Sequence, residues 1–342
     1  MSSLVVPVTT ISKVRTHPNA DALDIAEVLG WQVVVPRGRF SEGDKVVYFP
    51  PDSVLPLKVS ERFGVTKYLS KGRVRSAKLR GEPSFGLAVD PDDLAWLVGE
   101  NVAKHYGATK YEPPLRPSAG DAAPNHPLFW AYTDIENMRN FPNLLQEGEE
   151  VVITEKVYGT NCRIGVVEGE VMAGSKGLRR KPPPDGRQEA SLYWFPYTLE
   201  PVRNLLNHLS EEQGHRQVIL FGEVYGSKVQ SFTYGLQGTL GFRAFDLLVD
   251  GKYLNWHEFK RLCEQYEVPI VPTVAEGPFS LDRVRPLSNG DTLVPGASGS
   301  NIREGVVVKP QSERTDPTVG RVILKYLSDE YLFGEKTDYA EQ

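Results

Sequence analysis

Cysteine is scarce in this chain: its 342 residues contain two, Cys162 and Cys263. Two thiols cannot build a disulfide framework or a four-cysteine zinc site, and a reduced, cytoplasmic chain is expected. The six histidines show no metal-ligand spacing, so no zinc centre is expected. No run approaches the roughly 18 consecutive apolar residues of a membrane helix, and no membrane partner is expected. The opening segment, MSSLVVPVTT, lacks a basic n-region, so no secretion signal is expected either. Positive charge is not in excess: 39 Lys and Arg face 44 Asp and Glu, for a net charge of −5. That excludes a histone-like polycation and leaves any nucleic-acid contact to local basic patches. Internal repeats and low-complexity tails are missing as well.

What is present is an ordinary folded composition, 40% hydrophobic and 24% charged, in a chain long enough for about two domains. The main break is EPPLRPSAGDAAPNHP at 112–127. Its prolines, Pro113, Pro114, Pro117, Pro124 and Pro127, can hold neither a strand ladder nor a helix. The expected organisation is therefore a domain over 1–110, a linker over 111–128 and a second domain over 129–342. In the first, short apolar runs alternate with turn signals: Leu4–Val14, Ile25–Val28, Trp31–Val35, Lys45–Phe49, Val74–Leu79 and Phe85–Val89. A helix is expected at Asp92–Leu97. This pattern predicts a small, OB-like antiparallel β-barrel. Thr66–Gly81 carries Lys67, Lys71, Arg73, Arg75, Lys78 and Arg80 without one acidic residue. Such a run is either a solvated face or, with Tyr68 inside it, part of a strand-binding groove.

After the linker, strands are expected at Val151–Glu155, Cys162–Val167, Val171–Ala173, Val218–Val224, Leu240–Val249, Gly305–Lys309 and Arg321–Tyr326. Helical spacing covers Leu192–Leu209 and Trp256–Tyr266, the latter opened by the N-cap candidate Asn255. The class is α+β on antiparallel sheets. Four short elements place charge within or beside apolar strands. Lys156 follows Val151-Val152-Ile153 and precedes Gly159, a tight-turn residue that would let a nucleotide approach. A lysine buried beside a sheet is costly unless its charge is used, and a desolvated one is a good nucleophile. Glu223, inside Leu220–Gly226, needs partners such as sugar hydroxyls or a metal-bound water, unless it simply faces solvent. Glu304 and Lys309 bracket a β-branched run, and their odd spacing points them to opposite faces unless a bulge or strand end intervenes. Lys325 is the fourth charge, set in Val322–Tyr326.

EKVYGTN, FGEVYG, GFRAFD, EGVVVKP and ILKYLSDEYL, in that order and spacing, resemble the nucleotidyltransferase motifs of ATP-dependent RNA ligases. The branch is that of the second RNA ligase of phage T4, and the similarity spans about residues 130–332. Thr133–Asn137 and Asn140–Pro142 resemble the same branch. His17–Asp21 and Leu79–Leu87 are similar to OB domains of the tRNA-binding type. An OB domain placed before the ligase domain resembles the Deinococcus-type RNA ligases.

The resemblance implies an ATP-grasp-like ligase domain that seals a 3′-hydroxyl to a 5′-phosphate at a nick in an RNA or RNA/DNA duplex, working as a monomer with Mg²⁺ or Mn²⁺. Lys156 would attack the α-phosphate of ATP, forming lysyl-AMP and expelling pyrophosphate. Glu155 would help hold the adenine, Phe242 would stack on it, and Asn161 would contact polar groups around the phosphate and ribose. Glu223 would accept hydrogen bonds from ribose hydroxyls, and Glu304 would order the water shell of the metal. Lys309 and Lys325 would neutralise the α-phosphate. Lys176 stands in a nucleotide-contacting position where the branch often has arginine. Nearby cations would depress the Lys156 pKa. Tyr158 replaces the Asp or His of relatives, and Leu327 falls where a second lysine is frequent.

The rivals are a DNA ligase, a capping-type guanylyltransferase, and a non-catalytic RNA-binding protein. The first two place their OB domain after the catalytic one, and only 11 residues follow Tyr331. The intact set Lys156, Glu223, Glu304 and Lys325 is expected to disfavour the third.

Overall fold

The computed structural model describes residues 4–112, 120–227 and 229–333. They form two compact units, one drawn from 4–112, 136–143 and 332–333, the other from 120–135 and 144–331. Pro113, Pro114 and Pro117 of the expected linker lie outside the described residues.

In the first unit, alternation of apolar and polar residues produces β1 (Val8–Thr16), β2 (Leu23–Val28), β3 (Trp31–Pro36), β4 (Lys45–Phe49) and β5 (Leu87–Val89). Their order in the sheet is β3-β2-β1-β4-β5. β1 serves two neighbours: Ile11–Thr16 pairs with β2, Val8–Thr10 pairs with β4, and the register shifts between Ile11 and Lys13. A bulged strand shared in this way curls a short sheet toward a barrel, as the OB-like reading requires. Val6, Val8, Val47, Phe49, Val74 and Val89 fill one core with Tyr106. His17, 3% exposed, joins the two segments that resemble tRNA-binding OB domains: its Nε2 lies 3.0 Å from the Leu79 carbonyl, and its Nδ1 accepts from the Asn19 amide.

The helix expected at Asp92–Leu97 is not there; these residues form turns. Asp93 takes the Ala95 amide with its side chain, and the Lys45 ammonium takes the carbonyls of Leu94 and Trp96. Side-chain partners of this kind compete with the helical ladder. Leu94 and Leu97 are 77% and 74% exposed, so no apolar face drives a helix either.

The second unit pairs two antiparallel sheets. One runs β9-β8-β7-β10-β11-β12, from β7 (Thr160–Val167), β8 (Glu170–Ser175), β9 (Arg179–Arg180), β10 (Gln217–Gly226), β11 (Leu240–Val249) and β12 (Lys252–Tyr253). The other places β6 (Glu150–Glu155), β13 (Thr273–Pro278), β14 (Gly305–Pro310) and β15 (Leu324–Leu327) in the order β15-β14-β6-β13. Residues 121–123 dock on the β9 edge, where Lys181 donates to the Asp121 carbonyl and Ala123 to that of Arg179.

The helical stretch expected at Leu192–Leu209 is split into Phe195–Thr198 and Glu200–Asn207, because Pro201 removes an amide donor and can only open the second helix. Trp256–Gln265 is one helix with Asn255 in the N-cap position. The Asn255 side chain, however, accepts from the Glu313 amide instead of capping. Cys162 and Cys263 are free and fully buried. No helix among the described residues is long and apolar enough to cross a membrane.

Candidate active site

A pocket opens in the second unit between the two sheets, lined by Thr154, Glu155, Lys156 and Val157 at the end of β6 and by Val307 and Lys309 from β14. Asn161 of β7, Glu223 of β10 and Phe245 with Asp246 of β11 form the facing wall. Tyr132, Ile135, Val271 and Ile323 close the remainder. The sheets thus bring Lys156, Glu155, Asn161, Glu223 and Lys309 to one cavity, although up to 154 positions separate them in sequence.

Lys156 is placed by its backbone, whose amide donates to the Gly305 carbonyl at 2.9 Å. That bond puts the lysine beside Glu304, and its ammonium donates to both carboxylate oxygens, at 2.8 and 2.7 Å. Burial alone would lower the Lys156 pKa, but Glu304 and then Glu223 outweigh it, and the net shift is upward. The expected depression by neighbouring cations is therefore reversed: the immediate neighbours are carboxylates. Glu223 responds in the opposite sense. Burial pushes it up to about 8, with Glu304 adding to the rise and Lys156 opposing it. Asn161 brings a buried Oδ1 that has no hydrogen-bond partner, an acceptor left open toward the pocket.

Gly159 is required for a reason other than nucleotide approach. A Cβ there would lie 2.2 Å from the Val224 carbonyl oxygen, so the turn after Lys156 packs directly on β10.

Lys309 is not an open cation. Its ammonium donates to Asp246, which also accepts from Arg321 at 2.9 Å and from the Tyr132 hydroxyl. Arg321 in turn grips Glu313, at 2.7 and 2.5 Å. Burial would raise the Asp246 pKa, but Arg321 and Lys309 overcome it and pull the carboxyl down to about 2. Two cations and two carboxylates thus balance within the wall. Glu155 is likewise engaged: its oxygens accept from the Thr292 hydroxyl at 2.5 Å and the Leu293 amide at 2.6 Å. It fastens the loop before Glu304 while still lining the pocket. Lys325, on β15, stands opposite Val307, on the pocket-facing side of its sheet.

Two expected contacts are not brought to the pocket. Lys176 lies past the end of β8, half-exposed and paired with Asp134 at 2.5 Å. Phe242 is 3% exposed and packs into the core with Val224, Ala244 and Leu247. A Cβ on Gly222 would come within 2.3 Å of its ring. The register explains the Phe242 result. Val224 faces Phe242, Glu223 faces Arg243, and a bulge then makes Phe221 face Asp246. The inserted residue sets Phe245 and Asp246 on one wall, which a regular strand forbids. Phe245, with Tyr132, thus supplies the aromatic lining of the pocket. Leu327, 1% exposed opposite Gly305, adds no charge.

Tyr132, Phe245, Asp246 and Arg321 are the wall residues that spacing did not reveal. GFRAFD held the signal for two of them, but only the bulge decides which phenylalanine turns inward.

A hard divalent cation fits this donor set. Glu304 would offer carboxylate oxygens once released from Lys156, and Asn161 brings an unclaimed amide oxygen. Among the described residues no three His, Cys, Asp or Glu side chains converge. Such a cation would complete its shell with water and phosphate oxygens, the habit of Mg²⁺.

Residues 149–327 match a family model described as RNA ligase, and residues 5–91 match one described as an OB-fold domain. No curated protein matches the sequence. Solved structures of a Naegleria gruberi RNA ligase are similar at 23% identity. A variant with ATP and Mn has a TM-score of 0.70, covering 97% of this chain and 98% of that one. A variant with AMP and Mn gives 0.71 over 96% and 98%, and the enzyme with PPi gives 0.69 over 97% and 98%. At that identity the likeness shows a shared fold.

The two phenylalanines should separate in stability. Phe242→Ala empties a core position and is expected to cost about 3–5 kcal/mol, whereas Phe245→Ala, half-buried at the pocket, should cost clearly less. Chemical denaturation of both variants measures the difference; equal losses would contradict the assignment of faces.

Proposed function

The chain belongs to the RNA ligase family, and from that premise we propose that Lys156 takes AMP from ATP and passes it to the 5′-phosphate of a broken RNA strand. A 3′-hydroxyl then attacks that phosphate, the phosphodiester forms and AMP leaves. The observation that carries this reading is the Lys156 ammonium held by both oxygens of Glu304 at the edge of a pocket with an open Asn161 acceptor. The ATP, AMP, Mn and PPi held by the similarly folded Naegleria enzyme support the same choice of nucleotide and metal.

In the resting protein Lys156 is protonated and pinned, so its Nζ has no lone pair to offer. Glu304 must exchange the ammonium for another positive partner before attack. A divalent cation at Glu304 would supply that positive charge and stabilise charge developing on the α-phosphate. With Glu304 so engaged, the larger of the two influences that raise the Lys156 pKa is removed, the ammonium can release its proton to solvent, and the free amine becomes accessible. Nζ then bonds to phosphorus as the bond to pyrophosphate breaks. Glu223 and the Asn161 Oδ1 accept from the ribose hydroxyls, Phe245 faces the base, and Lys325 adds positive charge on the same side of its sheet. Lys309, tied to Asp246, acts by holding the wall.

Residues 129–342 are the proposed catalytic domain, 111–128 a connector and 1–110 an RNA platform. In the platform, Lys67, Lys71, Lys78 and Arg80 are exposed, and Tyr68 is 68% exposed with the Lys67 ammonium 5.0 Å from its ring centre. A basic face around an open aromatic suits phosphate contact and base stacking. Arg73 is excluded, since Asp52 binds it at 2.6 Å and its guanidinium covers the Tyr111 ring. The substrate we favour is a nick or break held by a complementary RNA or DNA strand, bound by a single copy of the enzyme. The two buried, unpaired thiols suit a cytoplasmic setting.

Incubation with α-labelled ATP should give a protein–AMP adduct that Lys156→Ala abolishes; the variant should also melt at a lower temperature, because Glu304 is left buried without its partner. An adduct mapped to another lysine would overturn the assignment. Replacing Lys67, Lys71, Lys78 and Arg80 together by Ala should leave that adduct unchanged. It should also flatten the log–log salt dependence of binding to nicked duplex by up to about 3, at about 0.7–0.9 per lost phosphate contact. An unchanged slope in a binding titration would remove the platform.

A further inference from the structure

Tyr234 lies in the segment between β10 and β11, in a stretch that no sequence motif marked. It is 3% exposed, yet its backbone has φ +51°. Bulky side chains rarely adopt this left-handed conformation, and it persists only where surrounding contacts impose it. The contacts are specific. The Tyr234 hydroxyl accepts the Tyr158 amide at 2.7 Å, and the Tyr234 amide donates to Asn301 Oδ1 at 2.9 Å. One residue therefore ties the turn two positions after Lys156 to the loop that ends three positions later at Glu304.

The ring is fixed as well. Tyr225 meets it at 5.0 Å and Phe232 at 6.4 Å, and Phe232 also meets the Tyr158 ring at 5.2 Å. Gln230 donates to the Gly159 carbonyl at 3.4 Å, so the same segment touches the turn a second time. The phenol lies near enough to Glu304, Glu155 and Glu223 for all three to act on it after burial, and all raise its pKa. It remains a neutral hydroxyl, whose oxygen takes the Tyr158 amide while its hydrogen remains a donor.

We propose that Tyr234 is a positioning residue for the nucleophile, fixing the Tyr158-Gly159 turn to the Asn301 loop so that Lys156 and Glu304 stay opposed while the ammonium is exchanged and the amine attacks. The strain at Tyr234 is maintained by the bonds that perform this role. Without its oxygen, the Tyr158 amide loses its acceptor and the turn keeps the weaker Gln230 bond and the ring contacts. The base and ribose contacts are untouched, so nucleotide binding is not the step affected.

This inference rests on the reading of Lys156 as the adenylylated residue. The test is single-turnover adduct formation with α-labelled ATP by full-length wild type, Tyr234→Phe and Lys156→Ala. Tyr234→Phe removes one oxygen and keeps the ring packing. We expect its maximal rate of adduct formation to fall about tenfold, the scale of one lost hydrogen bond. Its half-saturating ATP concentration should stay within twofold and its melting temperature within a few degrees. Tyr234→Leu, which loses ring and oxygen together, should fall further in rate and also melt lower. A Tyr234→Phe rate equal to wild type overturns the proposal, as does a loss confined to ATP affinity. If Lys156→Ala still forms the adduct, the underlying reading fails, whatever Tyr234→Phe does.

Discussion

The ion pair between Lys156 and Glu304 is the constraint around which the second unit is organised. The two residues sit at adjoining ends of neighbouring strands, and the Lys156 amide is bonded to the residue after Glu304. Neither charge can be left alone in that place, because an unpaired ion beside a sheet loses solvation that nothing returns. The surrounding structure follows from that need. Glu155, next in sequence to the lysine, fastens the Thr292–Leu293 loop. Glu223, facing the pair, is pushed up to about 8, so at neutral pH the site avoids a second full carboxylate charge beside the first.

A second network stands apart from that pair within the same pocket. Asp246 receives Lys309, Arg321 and Tyr132, and Arg321 closes the set on Glu313. Its charges cancel internally, which lets a polar wall remain buried without a ligand. The division of labour is electrostatic: one cluster is balanced and rigid, while the other is poised to trade partners. A lysine that reacts must belong to the second kind. Lys309, whose charge the Asp246 cluster already neutralises, belongs to the first.

Much of this was legible in the sequence where a residue's chemistry is expensive to bury. Lys156, Glu223 and Glu304 stood out because charge inside or beside β-branched runs needs a partner, and β6, β10 and β14 bring them together. Strands were legible from the apolar pattern in both units, with Lys45–Phe49 of the barrel and Leu240–Val249 of the second unit ending where the structure ends them. The resemblance pointed to Phe242, which the structure places in the core, and the bulge that brings Phe245 to the pocket is not readable from sequence. One inserted residue opposite Phe221 and Gly222 turned Phe245 and Asp246 inward together. Asp92–Leu97 failed for another reason: its amides and carbonyls found side-chain partners before they could form a ladder. Tyr234 carried no signal at all, since its role depends on a left-handed backbone and on two partners distant in sequence.

The exchange of partners at Glu304 is the central claim, and the titration of the Lys156 amine tests it most directly. Full-length protein carrying ¹³C at the lysine ε-carbon, with the Lys156 resonance assigned by Lys156→Arg, can be titrated by NMR with and without Mg²⁺ and a non-hydrolysable ATP analogue. In the metal-free protein the amine should titrate above the ordinary value of 10.5, because Glu304 and Glu223 hold the ammonium. With metal and analogue bound it should titrate below that value. A metal-free amine that already titrates below 10.5, unmoved by metal and analogue, would contradict the account.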